Sequence, residues 1–147
     1  MKTILKLGLA VMLMLSFVAV QAQDKLITVA QLPKQAQAFL KTYGKGMTVS
    51  YVKKEDEIFS RTTYEVKMND GSEVEFDKHG NWKEVDFKLN AVPHALIPQN
   101  IRNYVAKSFP NNKIVKLARK STKYEVELSN GLDLEFDKNG KFLRIDD

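Results

Sequence analysis

The sequence predicts an α+β protein in which a helix followed by a four-stranded antiparallel meander occurs twice. The first observation is an internal repeat. Residues 64–86 read YEVKMNDGSEVEFDKHGNWKEVD and residues 124–146 read YEVELSNGLDLEFDKNGKFLRID, with 10 of 23 positions identical. The second is a change from helical to alternating hydrophobic spacing in each half. Because repeated turns and apolar positions indicate one unit used twice, we expect one sheet of about eight strands with both helices on one face.

Each half begins with a predicted amphipathic helix. Leu32-Pro33 and Ile97-Pro98 place a proline at the first helical position, where its missing N–H costs little. Gly44 and Pro110 are expected to end the helices. The apolar residues that recur at helical spacing are Leu32, Ala36, Phe39, Leu40 and Tyr43 in the first helix, and Ile97, Ile101, Tyr104 and Val105 in the second.

Alternating apolar residues and turn signals follow each helix and predict the strands. Asp70-Gly71 and Asn130-Gly131 predict tight hairpin turns with positive φ at both turn positions. Asp77–Gly80 and Asp137–Gly140 fit type I turns that end with glycine in a left-handed bulge position. The segment 53–61 is about five residues longer than its counterpart, so we expect it to bulge as a loop. Residues 87–99 connect the halves.

Residues 1–22 fit a signal peptide. Lys2 and Lys6 precede an apolar run at 7–20, and Val20-Gln21-Ala22 supplies the small residues that signal peptidase requires. The run is shorter than the ~20 apolar residues of a membrane span, so we expect cleavage after residue 22 and no membrane anchor afterwards. The predicted mature protein is a single domain, 23–147, with repeats at about 26–90 and 91–147. It is expected to be periplasmic or secreted.

Composition excludes several classes of function. Removing the two lysines of the leader leaves 21 basic and 18 acidic residues, a net charge of 21 − 18 = +3. The lysines are scattered, without the basic clusters of nucleic-acid-binding proteins, so we expect no nucleic-acid partner. The absence of cysteine from the sequence excludes disulfides, thiolate metal sites and thiol catalysis.

No motif in the sequence predicts catalysis, a metal or a cofactor. The two Asp-Lys-x-Gly turns superficially resemble calcium loops, but glycine stands at position 4 rather than 6, so an aspartate-capped turn fits better. His79 lies at a hairpin tip where its counterpart is Asn139, and His94 has no His/Glu pattern near it. No nucleophile motif is present. Paired carboxylates on an open strand face lack the burial that acid–base catalysis needs, so the sequence predicts no enzyme.

The strand residues out of phase with the core form a candidate interaction face. These positions are acidic in all but one case, and Lys67 is the exception. We therefore expect the open face of the sheet to be wet and negatively charged in its central strands. The acidic residues are Glu65, Glu73, Glu75, Glu125, Glu127, Asp133 and Glu135.

Trp82 and Phe142 can be placed in two ways. Counting back from the alternating residues 85–87 and 143–145 places both rings on the open face, where they would be anchors for a protein partner. Counting forward from the turn places Trp82 opposite Phe76 and Phe142 opposite Phe136, on the core face, with a later bulge restoring the alternation. Both rings are kept as candidate interaction residues, although the turn geometry favours the core.

The motifs together resemble a known family. The doubled YEV…(D/N)G…EFDKxG hairpins, the Leu/Ile-Pro helix starts and the cysteine-free exported chain are similar to the PepSY-like, β-lactamase-inhibitor-like periplasmic proteins of Bacteroidetes. The resemblance covers about residues 26–147. It implies a tandem fold similar to that of β-lactamase inhibitory protein. It implies no functional residues, because the family has no established activity.

The sequence therefore predicts a non-catalytic exported binding module. Its partner would be an unidentified protein or peptide, held by the open sheet face or by the hairpin tips. Two alternatives stay open: an inhibitor of an exported enzyme, which the resemblance suggests, and a periplasmic binder of a small basic or peptidic ligand on the acidic face.

Overall fold

The computed structural model describes residues 23–59 and 61–146, so the predicted signal peptide lies outside the described residues. Nine antiparallel strands form one open sheet, and each strand pairs with its neighbours in chain order. The α+β class is therefore confirmed. The elements are β1 (Gln23–Ile27), α1 (Lys34–Tyr43), β2 (Val49–Glu57), β3 (Arg61–Met68), β4 (Glu73–Asp77), β5 (Trp82–Asp86), α2 (Gln99–Ser108), β6 (Ile114–Arg119), β7 (Lys123–Leu128), β8 (Asp133–Asp137) and β9 (Phe142–Asp146).

The sheet has one strand more than the predicted eight, because β1 pairs with the outer edge of β2. Of its apolar residues, Ile27 lies opposite Val52 and packs against the core, whereas Leu26 is 70% exposed. A strand with so little buried surface carries no hydrophobic alternation. Sequence patterning could therefore not detect β1.

The prediction of a loop at 53–61 was wrong, because most of these residues lengthen the β2–β3 hairpin. The pairing continues without interruption from Lys53 opposite Glu65 to Glu57 opposite Arg61. Polar cross-strand contacts support this extension, including a hydrogen bond of 2.7 Å from Thr62 Oγ1 to Asp56 Oδ1. Such contacts stabilise a strand pair without an apolar pattern that the sequence would reveal.

Both helices begin one residue later than predicted. Pro33 (φ −53°, ψ 145°) and Pro98 (φ −53°, ψ 139°) have extended backbone and stand immediately before α1 and α2. The fixed φ of proline still suits the entry to a helix. As predicted, Gly44 directly follows α1, where its N–H donates to Leu40 O at 2.8 Å.

One hydrophobic core contains residues of both halves and of both helices. In α1 the Phe39 ring meets Phe76 edge to face, with centroids 5.4 Å apart. In α2 the Tyr104 ring meets Phe136 in the same way, also at 5.4 Å. Edge-to-face pairs of this kind add about 0.5–1.5 kcal/mol beyond burial alone. The helices are thus attached to corresponding strands, β4 and β8.

Of the two predictions about hairpin turns, the one for Asp70-Gly71 and Asn130-Gly131 was wrong in part, and the one for Gly80 and Gly140 is confirmed. Among the described residues other than glycine, only Phe59 and Lys88 have positive φ, so neither Asp70 nor Asn130 adopts it. Each of these turns instead places a single glycine in the left-handed region, with φ of 90° at Gly71 and 86° at Gly131. The later turns have the predicted left-handed glycines, Gly80 (φ 87°) and Gly140 (φ 78°).

Candidate functional site

The sheet face opposite the core residues, here called the open face, carries the predicted acidic positions. The strand register aligns eight of its residues in one continuous row across β2 to β9. We call this the central row. In order, it consists of Lys53, Glu65, Glu75, Glu84, Ala118, Glu125, Glu135 and Arg144.

A second row of open-face residues lies beside the central row and contains the remaining acidic residues that the sequence predicts for this face. Glu73 lies between Lys67 and Asp86, and Glu127 lies between Lys116 and Asp133. Most residues of the two rows are half-buried or exposed, except for Ala118 (1% exposed) and Glu135 (5%). The structure therefore brings all seven predicted acidic residues onto one face.

The open face is not uniformly acidic, because six cations are interleaved with the acids. Lys67 Nζ lies 2.9 Å from Glu73 Oε2, and Lys116 Nζ lies 2.9 Å from Glu84 Oε1. Three of the cations lie on β2, β6 and β9, two lie on β3 and β7, and Lys120 follows β6. The six cations are Lys53, Lys67, Lys116, Lys120, Lys123 and Arg144.

Glu75 differs from the other acids of the central row. It lies directly opposite Glu65 on one side and Glu84 on the other. Within the described part of the chain, the side chain of Glu75 forms neither an ion pair nor a hydrogen bond. Partial burial raises the pKa of its carboxyl above the ordinary value, and the charge of Glu84 raises it further. Glu75 is therefore a carboxylate whose charge is poorly compensated.

Glu135, its counterpart in the second half, has the opposite environment. Its carboxylate accepts hydrogen bonds from Lys123 Nζ and from Arg144, with Arg144 Nε at 2.9 Å. These bonds hold the pKa of Glu135 below its ordinary value, with Lys123 the larger cause. The two halves thus place the same residue type in contrasting electrostatic sites.

Trp82 and Phe142 belong to the core side of the sheet, so their place among the candidate interaction residues needs correction. Trp82 lies opposite Phe76, and the register shifts between Glu75 and Phe76, which is the bulge expected for the core placement. Phe142 stacks on the Tyr104 ring at 4.6 Å, and Trp82 lies 6.4 Å from Phe39. Both rings are half-buried against the helices and are not anchors on the open face.

In the turns that begin with Asp77 and Asp137, the aspartate side chain accepts hydrogen bonds from backbone N–H groups of the same turn. Asp77 Oδ1 accepts hydrogen bonds from the backbone N–H groups of His79 (2.8 Å) and Asn81 (3.0 Å). Asp137 Oδ1 accepts the equivalent pair at 2.9 Å each. Burial raises the pKa of Asp77, but a hydrogen bond from the Asn81 side chain and these backbone bonds outweigh it and lower the pKa. Within residues 23–59 and 61–146 no group of three or more His, Asp or Glu side chains is arranged to hold a metal ion.

Sequence reasoning missed two residues that the structure makes prominent. Glu84 completes the run of glutamates beside Glu75, but the bulge at this point hid its face from a simple alternation. Arg119 places its guanidinium 3.8 Å from the centre of the Trp82 ring, a cation–π contact between strands of different halves. Glu84 lies inside the repeat, but its counterpart there is Arg144, so the repeat did not mark it as an acidic position, and Arg119 lies outside the repeated segment.

Comparison with known proteins agrees with this architecture. A family described as "Putative beta-lactamase-inhibitor-like, PepSY-like" matches residues 62–144. A comparison with curated proteins finds no significant match. Among the described residues, no helix is long and apolar enough to cross a membrane.

Several solved structures are similar over almost their whole length. One is described as a "putative calcium-regulated periplasmic protein" from Bacteroides thetaiotaomicron, with 42% identity, a TM-score of 0.80 and coverage of 84% of this chain and 97% of that one. A DUF2874-family periplasmic protein from Bacteroides vulgatus has 41% identity, a TM-score of 0.80 and coverage of 85% and 98%. A periplasmic protein of unknown function from the same species has 37% identity, a TM-score of 0.81 and coverage of 85% and 100%.

These likenesses extend over most of the chain and agree with the predicted family and with the predicted location. The relatives are described as periplasmic, so the protein is periplasmic or secreted. With the family match over residues 62–144 and identities of 37–42% to solved relatives, the chain belongs to the PepSY-like family.

Proposed function

We propose that this protein is a non-catalytic periplasmic binding module whose open sheet face holds a protein or peptide through basic side chains. The observation that carries the proposal is the run of three glutamates on neighbouring strands, Glu65, Glu75 and Glu84. Among the described residues, no lysine or arginine forms an ion pair with the carboxylate of the middle one. Like charges placed directly opposite each other destabilise a sheet. A lysine or arginine of a partner would offset that cost by pairing with Glu75.

The proposal includes a tandem architecture like that of β-lactamase inhibitory protein, with both helices on one side of the sheet. Matching registers support it, since Tyr64 lies opposite Phe76 and Tyr124 opposite Phe136. Matching contacts from α1 and α2 to these phenylalanines support it as well. With the helices on one side, the other side would be free for a partner. The proposed mature chain is 23–147 after removal of the signal peptide.

A non-catalytic role is supported by how the carboxylates of the open face are used. Glu73, Glu84, Glu125 and Glu135 are engaged in ion pairs with lysine or arginine. Carboxylate oxygens that are occupied by a lysine or arginine are not free to contact the reacting group of a substrate. Glu75, whose pKa is raised, stands beside other glutamates and not beside a nucleophile.

The test compares two variants of the mature chain. A lysine-rich decapeptide serves as the probe at low salt, where charge attraction is least screened. We expect Glu75→Gln to weaken peptide binding about tenfold, the usual scale for one charge-assisted hydrogen bond. Glu127→Gln is the matched control, because Glu127 is also half-buried and without an ion pair in the described part of the chain, but lies in the other half. Wild-type affinity in the Glu75→Gln variant would contradict the proposal. An equal loss in both variants would assign binding to the open face as a whole and not to Glu75.

The alternatives are an inhibitor of an exported enzyme and a binder of a small basic ligand. The description of the family supports the first. A shallow depression of about 170 Å³ on the open face, lined by Lys116, Glu127, Asp133 and Glu135, supports the second. Capture from periplasmic extract separates them, since an enzyme would co-purify with the wild type and a small ligand would not. The same capture experiment is repeated with added calcium, because one relative is described as calcium-regulated.

A further inference from the structure

A notch lies at the end of the sheet where three hairpins meet, and Glu75 is the one lining residue that the proposed function also uses. It encloses about 610 Å³ and is lined by the β2–β3 hairpin, the β4–β5 turn and the β6–β7 turn. The lengthened β2–β3 hairpin provides one wall through residues such as Glu57 and Thr62. A volume of this order is typical of sites for small solutes.

Arg119 is the central feature of the notch. Its Nε and Nη2 atoms both donate to the backbone oxygen of Trp82, with Nε at 3.1 Å, and its guanidinium lies over the Trp82 ring at 3.8 Å. These contacts fix the plane of the group but use only two of the five N–H donors of an arginine. Within residues 23–59 and 61–146, no carboxylate forms an ion pair with Arg119. A fixed, half-buried guanidinium therefore keeps free donors and has no ion-pair partner among the described residues, although the charge of Asp77 acts on it.

At the equivalent position of the first half, a lysine forms an ion pair with a carboxylate of its own strand. Lys54 lies opposite Tyr64 in the strand register, as Arg119 lies opposite Tyr124. Lys54 Nζ is neutralised by Asp56, two residues further along, at 2.7 Å. Two residues beyond Arg119 the sequence has Ser121 instead of a carboxylate. In place of this internal ion pair, the second half has an arginine that lines the notch.

Other cations surround Arg119. Lys78 and Lys83 line the notch and form no ion pair within the described part of the chain. Lys120 makes only long contacts of 3.8 Å to Glu84 and Glu125. The lining includes five basic residues (Arg61, Lys78, Lys83, Arg119 and Lys120) against three acidic ones (Glu57, Glu75 and Asp77).

We infer that this notch binds a doubly charged oxyanion, a phosphate or sulfate group, with Arg119 as the main contact and Lys78 and Lys83 as supporting charges. The planar guanidinium matches the spacing of two oxygens of such a group. The convergence of several cations favours a dianion over a single carboxylate. The group could be a free ion or part of a small solute, since the notch is larger than a bare ion needs.

Trp82 provides a direct assay, because it is the only tryptophan of the chain and lies against Arg119. The mature chain is titrated at constant ionic strength with inorganic phosphate, sulfate, glycerol phosphate and acetate, while Trp82 emission is followed. We expect a saturable change with the first three and none with acetate. Tighter binding of glycerol phosphate than of phosphate would identify a phosphorylated solute, and equal binding would identify the free ion.

The variants show whether Arg119 is responsible. Arg119→Gln should weaken binding about tenfold or more, and Arg119→Lys should weaken it less, because lysine keeps the charge without the planar fork. Lys54→Gln, the matched change in the first half, should leave binding unchanged. Because Arg119→Gln could itself alter Trp82 emission, calorimetric titration repeats the measurement on Arg119→Gln and on Lys83→Gln. No saturable phosphate response in the wild type, or equal affinity in Arg119→Gln, would overturn the inference.

Discussion

Glu75 and Glu135 occupy equivalent positions in the two halves, yet one has no cation partner in the described part of the chain and the other has two. Each lies opposite a glutamate of the preceding strand and immediately before a buried phenylalanine. Arg144 of β9 reaches Glu135, whereas the corresponding position of β5 holds Glu84. Lys123 also pairs with Glu135, whereas its counterpart in β3 is Thr63. Two sequence differences, at Lys123 and at Arg144, therefore separate the neutralised glutamate from the one without a cation.

This contrast predicts opposite effects for the same substitution. Glu75→Gln removes a charge that is crowded by Glu65 and Glu84, so we expect the free energy of unfolding to rise by about 0.5 kcal/mol. Glu135→Gln leaves Lys123 and Arg144 without their shared carboxylate, so we expect the free energy of unfolding to fall. Urea unfolding of both variants and the wild type measures both changes. A shift of the same sign in the two variants would show that the difference in partners has no energetic consequence.

The pH dependence of the two effects should also differ in sign. The folded state raises the pKa of Glu75, so its charge costs stability at neutral pH, and that cost disappears as the pH falls below the ordinary value of 4.5. The folded state lowers the pKa of Glu135, so its ion pairs stabilise at neutral pH and are lost on acidification.

The measurement is a series of melting curves between pH 3 and pH 7. The advantage of Glu75→Gln over the wild type is expected at pH 7 and should vanish near pH 3. The deficit of Glu135→Gln should shrink over the same range. Differences that are constant with pH would show that packing, and not ionisation, causes them.

The glycines of the hairpin turns should tolerate alanine unequally. Gly80 and Gly131 both have positive φ, which costs about 1–2 kcal/mol for a residue with a Cβ. At Gly131 a Cβ would meet no atom within 4 Å, so we expect only that backbone strain. At Gly80 a Cβ would lie 2.8 Å from Ala36 N and 2.9 Å from Pro33 Cβ, so the turn must also move away from α1.

Chemical denaturation of Gly80→Ala and Gly131→Ala separates the two costs. We expect Gly80→Ala to be the more destabilising variant by at least about 1 kcal/mol, on the scale of overpacking. Equal losses in the two variants would mean that the β4–β5 turn does not rest tightly against the start of α1.

The repeat made the strands and turns predictable, because each of them could be assigned from two copies of the same motif. Gly80 and Gly140 could be assigned a left-handed conformation from the turn pattern alone, and the core placement of Trp82 followed from the geometry of the same turn. In these segments local chemistry determines local structure. The family resemblance rested on the same residues and proved correct.

The charge balance of the open face could not be predicted in this way. It depends on which side of the sheet β2, β6 and β9 present, and register shifts between Val49 and Tyr51 and between Ile114 and Lys116 reverse the alternation along β2 and β6. A one-residue slip moves every side chain to the other face. Lys116, the partner of Glu84, therefore became visible only when β5 and β6, which the connector separates in sequence, were aligned. Arg144 became visible as a partner of Glu135 only with the register shift between β8 and β9.

The pairing of β5 with β6, which connects the two halves of the sheet, predicts that neither half is stable alone. Strands β5 and β6 pair through three residue pairs, with Val85 opposite Leu117, and both side chains are fully buried. A fragment of residues 97–147 would expose Leu117 and one unpaired edge of β6. It would also be close to the size at which one core is marginal.

We therefore expect this fragment to lack a cooperative thermal transition, whereas the chain 23–147 melts in one step. Mixing it with a fragment of residues 23–96 should restore part of the native circular dichroism, because β5 could then pair with β6 again. A Leu117→Asp version of the 97–147 fragment is the control, since a buried charge opposite Val85 should prevent this recovery. A monomeric 97–147 fragment with a native-like spectrum and a cooperative melt would show that the second half is an independent domain.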